Sequence, residues 1–209
     1  MHDARTTEFH RLHETGTFVM PNPWDAGSAV TLERMGFPAL ASTSAGAAWS
    51  RGRPDTGLTL ADSLEHLRAL AAAVAVPVNA DFEGGYAVEP AQVHANVLAA
   101  TGTGIAGLSI EDSTGDAERP LHDRALAVER VAAARQAVAP KPVNLLINAP
   151  FITVAEAAEL GVRRISVGGT LARAAWGGWL AAAEEIRDGG TFTAFQQLPD
   201  VDGMLGAQR

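Results

Sequence analysis

The sequence predicts an α/β protein: a parallel, TIM-barrel-like (β/α) barrel contracted to roughly six β/α units and forming a single domain over residues 1–209. Three observations predict it. Strand-like and helix-like segments alternate along the chain, which calls for a parallel sheet with crossover helices. The strand-like segments are short, apolar and bounded by glycine or proline, as strands covered on both faces are. Acidic side chains also gather at the C-terminal ends of strands, where α/β ligand sites form. The contraction follows from length. An eight-unit barrel takes about 250 residues, or about 31 per unit, and the chain has 209.

Each element can be justified in order. TFVMPNPWD (residues 17–25) reads as a short strand and loop, and AGSAVTLERMG as a helix ending at Gly36. ALASTSAG is strand-like, and the alanine-rich ADSLEHLRALAAAVAV is helical. PVNADFE is the next strand, and PAQVHANVLAATG a helix with proline in its first turn. IAGLSIED is a strand, RALAVERVAAARQAV a helix and KPVNLLIN (residues 141–148) a strand. VAEAAELG, RRISVGG and LARAAWGGWLAAAEEIRDGG read as a short helix, a strand and a long closing helix. Helices stop at glycine (Gly36, Gly102, Gly161), and strands begin shortly after proline (Pro38, Pro77, Pro142). The tail after Gly190 has weak periodicity and is expected to pack outside or fray.

The composition narrows the function. The chain is 47% hydrophobic and 19% charged, with a formal net charge of −8. That balance argues against a general nucleic-acid or membrane-surface binder, so an anionic substrate would need a local positive site or a metal. There is no cysteine, which excludes disulfides, zinc–thiolate sites and a cysteine nucleophile. The N-terminal MHDARTTEFHRLHETG is polar and carries acids, unlike a signal or transit peptide. No apolar run reaches the roughly 18 residues of a membrane span. The expectation is a cytoplasmic protein with no nucleic-acid or membrane partner.

PVNADFEGGYA carries the chemistry. Side chains alternate along a strand, so Asn79, Asp81 and Glu83 share one face while Val78, Ala80 and Phe82 take the other. On the next strand the same rule groups Gly107, Ser109 and Glu111 against Ala106, Leu108 and Ile110. Adjacent parallel strands would then bring three carboxylates, Asp81, Glu83 and Glu111, to one rim. Such a group resists ionisation unless a cation joins it, and oxygen-only ligands select Mg²⁺ or Mn²⁺. The alternative is that these acids cap helices or pair with arginines. Asp55, in the glycine- and proline-punctuated SRGRPDTG, belongs either to a lid that carries a catalytic group or to a solvated turn.

Other signals carry less. GTGIAG matches G-x-G-x-x-G at Gly102, Gly104 and Gly107, but it ends a helix and opens a strand, the reverse of a dinucleotide fingerprint. His10 and His13 read as a solvated helix face. Trp176 and Trp179 read as packing residues or part of a subunit interface.

NPWDAGSA, STSAGAAWSRGRPD, VNADFEGGY, GLSIEDSTGD and RRISVGGTLARAAW together resemble the isocitrate lyase/phosphoenolpyruvate mutase superfamily. The resemblance is nearest to its short bacterial members related to 2-methylisocitrate lyase and phosphonomutase. It implies a modified barrel with Mg²⁺ at the C-terminal rim. Asp81, Glu83 and Glu111 match the metal-shell acids, and Asp55 the acid of the mobile loop. Ser44, Ala45 and Gly46 match the turn whose N–H groups hold a substrate carboxylate or phosphonate. The implied enzyme is a Mg²⁺- or Mn²⁺-dependent lyase cleaving a C–C or C–P bond of a small 2-oxo or 2-hydroxy acid through a metal-stabilised enolate. Asp55, Asp81 and Glu111 would be catalytic. Two departures stand out. STGDAERPLHD lacks the cysteine of the lyases' gating loop. The chain also passes from VAAARQAVAP to KPVNLLIN where the family has about two further units, including a substrate-binding arginine that Arg51 or Arg53 would have to replace. A gap of that kind would expose sheet edges and apolar core. It would favour a homo-oligomer, dimer or tetramer, built on LARAAWGGWLAAA. The competing hypothesis is a non-catalytic binding or scaffold protein that kept the rim acids.

Overall fold

Apolar runs between proline and glycine make the strands, and capped alanine-rich runs make the helices. The computed structural model describes residues 4–116, 118–137, 144–146 and 153–206. In chain order the elements are α1 (Ala4–Leu12), β1 (Phe18–Met20), α2 (Ala26–Arg34), β2 (Leu40–Ala41), α3 (Ser44–Ser50), α4 (Leu60–Ala73), β3 (Val78–Asp81) and α5 (Pro90–Thr101). There follow β4 (Gly107–Ser109), α6 (Arg124–Ala137), β5 (Asn144–Leu146), α7 (Val154–Glu159), β6 (Arg164–Ser166) and α8 (Thr170–Gly189). A 3₁₀ turn over Thr193–Gln197 and α9 (Val201–Gly206) complete the described chain. Of the strand expected over 141–148, residues 144–146 are described; Pro142 lies outside the described residues.

All strand pairing is parallel, in the orders β1-β6-β5 and β2-β3-β4. The Ala41 N–H donates to the Pro21 carbonyl at 3.1 Å and joins the two sets. Asn22, buried beyond the end of β1, reinforces the join. Its Nδ2 donates to the Ser42 carbonyl and its Oδ1 accepts from the Val167 N–H, both at 2.8 Å. The resulting order is β5-β6-β1-β2-β3-β4, and each chain-consecutive pair is adjacent except β4 and β5. Right-handed β/α crossovers produce such an order. Among the described residues β4 and β5 each have one strand neighbour.

The alternation rule sorts the core correctly. Val78, Ala80 and Phe82 pack outward against Leu67 and Leu70 of α4 and Val93 and Val97 of α5. Leu108 and Ile110 join that layer. Burying each of these large side chains contributes about 1.5–3 kcal/mol. Ala106 departs from the rule. It precedes β4 and packs with Phe9, Phe18, Met20, Ala39 and Ala41 in a second cluster.

The structure corrects three expectations. Residues 44–50 form helix α3, because Thr43 accepts from the Gly46 N–H and caps an alanine-rich run. β3 ends at Asp81, which puts Glu83 in a turn instead of on the strand. His13 is not part of a solvated face. Its ring stands edge-on to Phe9 and Phe18, with centroids 4.7 and 5.0 Å away. Of the two outcomes expected for the tail, α9 shows the packed one: it folds back on the outside of α2, and the Met204 carbonyl accepts from Arg34 at 2.5 Å. Gly102 and Gly107 lie after α5 and at the start of β4, as a helix-to-strand turn requires. Beside β4 and α6 lies an open cleft of about 1070 Å³, lined by Ile110, Leu121, Val128 and Val131 among others.

Candidate active site

Three segments that follow strands form the site. Asp81 is the last residue of β3, where the Ser42 Oγ accepts its N–H at 2.8 Å. Its Oδ2 accepts from both the N–H and the Oγ of Ser44 at 2.9 Å, and its Oδ1 from the Glu83 N–H at 3.4 Å. Ser44 therefore orients Asp81. The Gly46 N–H is held by Thr43, so two amides of the predicted carboxylate-binding turn already have acceptors inside the protein. The Ala45 N–H has none among the described residues. Gly46 has a steric role as well: a Cβ there would stand 2.7 Å from Thr43 Cγ2 and 2.8 Å from Trp24 Cβ.

Glu83 sits in a left-handed turn, with φ of 45°, and its carbonyl accepts from the Glu111 N–H at 2.8 Å. The backbone thus ties these two acids together directly. The Tyr86 hydroxyl donates to Glu83 Oε1 at 2.9 Å. Burial raises the Tyr86 phenol well above its usual value and keeps the donor protonated. Burial, followed by the charges of Asp81, Asp55 and Glu111, pushes Glu83 up to about 7 against the hydrogen bond from Tyr86. Glu111 is at an exposed position, yet desolvation by its surroundings and the charges of Asp81, Asp55 and Asp112 raise it too. The four acids lie within electrostatic reach of one another.

Asp55 stands on the exposed loop between α3 and α4, where its Oδ1 accepts from the Thr56 N–H at 2.9 Å. The base of that loop is pinned. Arg51 and Arg53 reach Asp62 of α4 at 2.7 and 2.6 Å, and Arg51 reaches Glu65 at 3.3 Å. Arg53, expected at the substrate, is thus engaged by α4. Thr56 and Leu58 of the loop line a cavity of about 390 Å³ together with Glu83, Glu111, His122 and Arg130.

Among the described residues no group of three or more His, Asp or Glu side chains is set as a ready-made metal cage. Ser44 holds the Asp81 carboxylate and Tyr86 holds that of Glu83. The donor set still fits a hard cation of the Mg²⁺ type, which keeps several waters and takes only one or two carboxylates directly. The raised Glu83 carboxyl is consistent with the fit: burial is its first cause and the charges of Asp81, Asp55 and Glu111 the next, so a cation placed there would favour the ionised acids.

Reading the strands alone misses Ser42, Tyr86, Asn96 and Arg130, which hold the acids or the turn bearing them, and Asn22, which holds the Ser42 carbonyl. Ser42 and Asn22 precede helices and look like ordinary caps. Tyr86 stands three residues after Glu83 and is the only tyrosine in the chain, a signal that could have been used.

Fold and site together define a class: α/β proteins with an acidic rim at the C-terminal ends of parallel strands. The model of the phosphoenolpyruvate phosphomutase family matches residues 9–151, and the chain belongs to that family, within the phosphoenolpyruvate mutase/isocitrate lyase superfamily. A provisionally assigned lyase/mutase of Burkholderia cenocepacia J2315 is 34% identical, with a TM-score of 0.90 over 97% of this chain and 96% of that one. An uncharacterized protein of Mycobacterium tuberculosis is 38% identical over 129 residues, covering 61% of this chain and 48% of the relative. A phosphonopyruvate hydrolase crystallised with oxalate and Mg²⁺ shares the fold, with a TM-score of 0.83 at 19% identity over 98% of this chain and 95% of that one. The chain spans about half the length of the curated relatives it matches. No helix among the described residues is long and apolar enough to cross a membrane.

Proposed function

We propose that the chain is a Mg²⁺- or Mn²⁺-dependent lyase or mutase acting on a C–C or C–P bond of a small 2-oxo or 2-hydroxy carboxylic acid. One observation carries the reading: Asp81 at the end of β3, Glu83 and Glu111 tied by a backbone hydrogen bond, and the loop acid Asp55 stand at one rim, where burial and then the neighbouring acids raise the Glu83 and Glu111 carboxyls. Membership of a family whose named relatives include lyases, mutases and hydrolases of such acids supports it.

In this reading Asp81 is the direct metal ligand, and Glu83 and Glu111 act through water. When bound, the cation would supply Lewis-acid stabilisation of negative charge developing on the substrate. Ser44 fixes the Asp81 carboxylate, and Tyr86 fixes that of Glu83. Asp55 orients the substrate from the loop above the cavity, and Thr56 and Leu58 help exclude water. The Ala45 N–H is the member of the Ser44–Gly46 turn available to a substrate carboxylate. Arg53 and Arg51 are left out of the substrate set because Asp62 and Glu65 engage them. With no cysteine in the chain, the reading favours a reaction that needs no thiol proton donor. The non-catalytic scaffold is the less supported alternative, since the site keeps its acids and their supports.

The test is a panel of 2-oxo and 2-hydroxy acids with and without Mg²⁺ or Mn²⁺, read as pyruvate or glyoxylate release. Turnover should require the metal and fall at least a thousandfold in Asp81→Ala. Release that is independent of metal, or unchanged in that variant, would overturn the assignment.

A further inference from the structure

We propose that Arg130 of α6 is a positioning residue for the acidic site, clamping the turn that carries Glu83 and Tyr86; the proposal rests on the metal-dependent reading above. The turn is an unusual piece of backbone. Glu83, Gly85 and Tyr86 have φ of 45°, 74° and 57°, so two residues with side chains are left-handed within four positions. Such residues persist only where the surroundings over-determine them.

The surroundings can be accounted for atom by atom. Arg130 Nη2 donates to the Gly84 carbonyl, and Nη1 to those of Ala87 and Val88, the last at 2.7 Å. Asn96 Nδ2, from α5, donates to the carbonyls of Gly85 at 2.9 Å and Tyr86 at 3.4 Å. Five consecutive carbonyls, from Gly84 to Val88, therefore accept from two interior side chains on neighbouring helices.

Arg130 is 1% exposed, makes no ion pair with a carboxylate among the described residues, and has a buried Nε without a hydrogen-bond partner. A buried guanidinium costs a great deal unless its donors are satisfied. Here backbone carbonyls take up Nη1 and Nη2 while Nε stays without a partner, and those carbonyls face the guanidinium only while the turn keeps this conformation. Cation and turn therefore hold each other in place. Gly84 permits the approach: a Cβ there would lie 3.3 Å from Arg130 Nη2 and 3.1 Å from the Ser113 carbonyl. Because the Glu83 carbonyl accepts from the Glu111 N–H, fixing the turn sets the spacing of both acids. Lysine would keep the charge but lose the planar fork that serves three acceptors at once.

The experiment compares the full chain with Arg130→Lys, Gly84→Ala and Leu70→Ala, the last a truncation in the core layer behind β3 that touches neither the acids nor the hydrogen bonds to the turn. Each is measured at a temperature where circular dichroism shows it folded. The readouts are the Mn²⁺ dissociation constant and hydrogen exchange at the Gly85 and Glu111 amides, which donate to the Phe82 and Glu83 carbonyls. Arg130→Lys should weaken Mn²⁺ at least tenfold and accelerate exchange at those amides at least a hundredfold. Leu70→Ala should lower the melting temperature and leave Mn²⁺ affinity within twofold. If Arg130→Lys does not fold, Gly84→Ala, which crowds the guanidinium, should give the same two changes. Folded Arg130→Lys with both readouts within twofold of wild type would overturn the proposal, as would loss of affinity in Leu70→Ala equal to that in Arg130→Lys. Mn²⁺ binding abolished by Asp81→Ala tests the metal reading separately. If that control fails while exchange at Gly85 and Glu111 still accelerates, the clamp stands and the metal reading falls.

Discussion

His66, on the inner side of α4, carries a pH dependence that the acids at the rim do not explain. Its Nε2 is buried without a hydrogen-bond partner. Burial, then the charge of Arg51, depresses the imidazole to about 4, against a smaller opposing pull from Asp25. The sign follows from linkage. Between about pH 6.5 and 4 the unfolded chain binds a proton at this position that the folded chain does not, so stability falls as the pH drops through that window. Between pH 7 and pH 4 the loss should be about 3 kcal/mol, the full difference between 6.5 and about 4 being worth slightly more at about 1.36 kcal/mol per pH unit. Urea titrations at pH 7 and pH 4 should show His66→Leu losing less stability than wild type by about that amount. Equal losses would mean that the imidazole is protonated in the folded protein.

At the scale of elements, α4 joins the loop bearing Asp55 to the core. Thr59 and Asp62 form a reciprocal cap, with the Asp62 N–H donating to Thr59 Oγ1 at 3.2 Å and the Thr59 N–H to Asp62 Oδ2 at 3.0 Å. Asp62 also receives Arg51 and Arg53, so the helix start and the loop base share one carboxylate. Those hydrogen bonds, the largest from Thr59, hold the Asp62 carboxyl well below the usual range. Thr59→Ala should cost about 1 kcal/mol, a melting shift of roughly 2–4 °C for a chain of this size. It should also speed amide exchange in residues 54–58 relative to the strands. A shift without faster loop exchange would show that the cap acts on α4 alone.

For the whole molecule the question is what covers its apolar surface. Trp176 and Trp179 of α8 stand edge-on with centroids 5.0 Å apart, and Trp179 is 59% exposed. Leu180 and Ile186 are exposed on the same helix, and Leu121 and Val128, each 61% exposed, line the cleft beside β4. These are two separate groups of exposed apolar side chains, each more than the scattered single residues of an ordinary surface. Size exclusion with light scattering should find more than one copy per particle, and Trp179→Glu should shift the population towards monomer. A wild-type monomer at micromolar concentration, unaffected by the substitution, would remove α8 from any interface.

The alternation of strands and helices from β1 to α8, α3 excepted, the outward packing of Val78, Ala80 and Phe82, and the gathering of acids near the ends of β3 and β4 were legible in the sequence. They depend on local periodicity and on proline and glycine, which act within a few residues. Family membership was legible too, because it rests on short motifs kept in order. What the sequence could not decide depends on groups far apart in the chain. Arg130 meets the carbonyls of Gly84, Ala87 and Val88 more than forty positions away, and nothing in VERVAAAR marks it as a clamp. Arg53 looked available to a substrate until α4 folded beside it with Asp62. Ser44 looked like a substrate ligand, but the end of β3 brings Asp81 to it first. Periodicity sets which face a side chain takes; only the packed chain sets which partner reaches it, because burial and hydrogen-bond satisfaction are properties of the assembled interior.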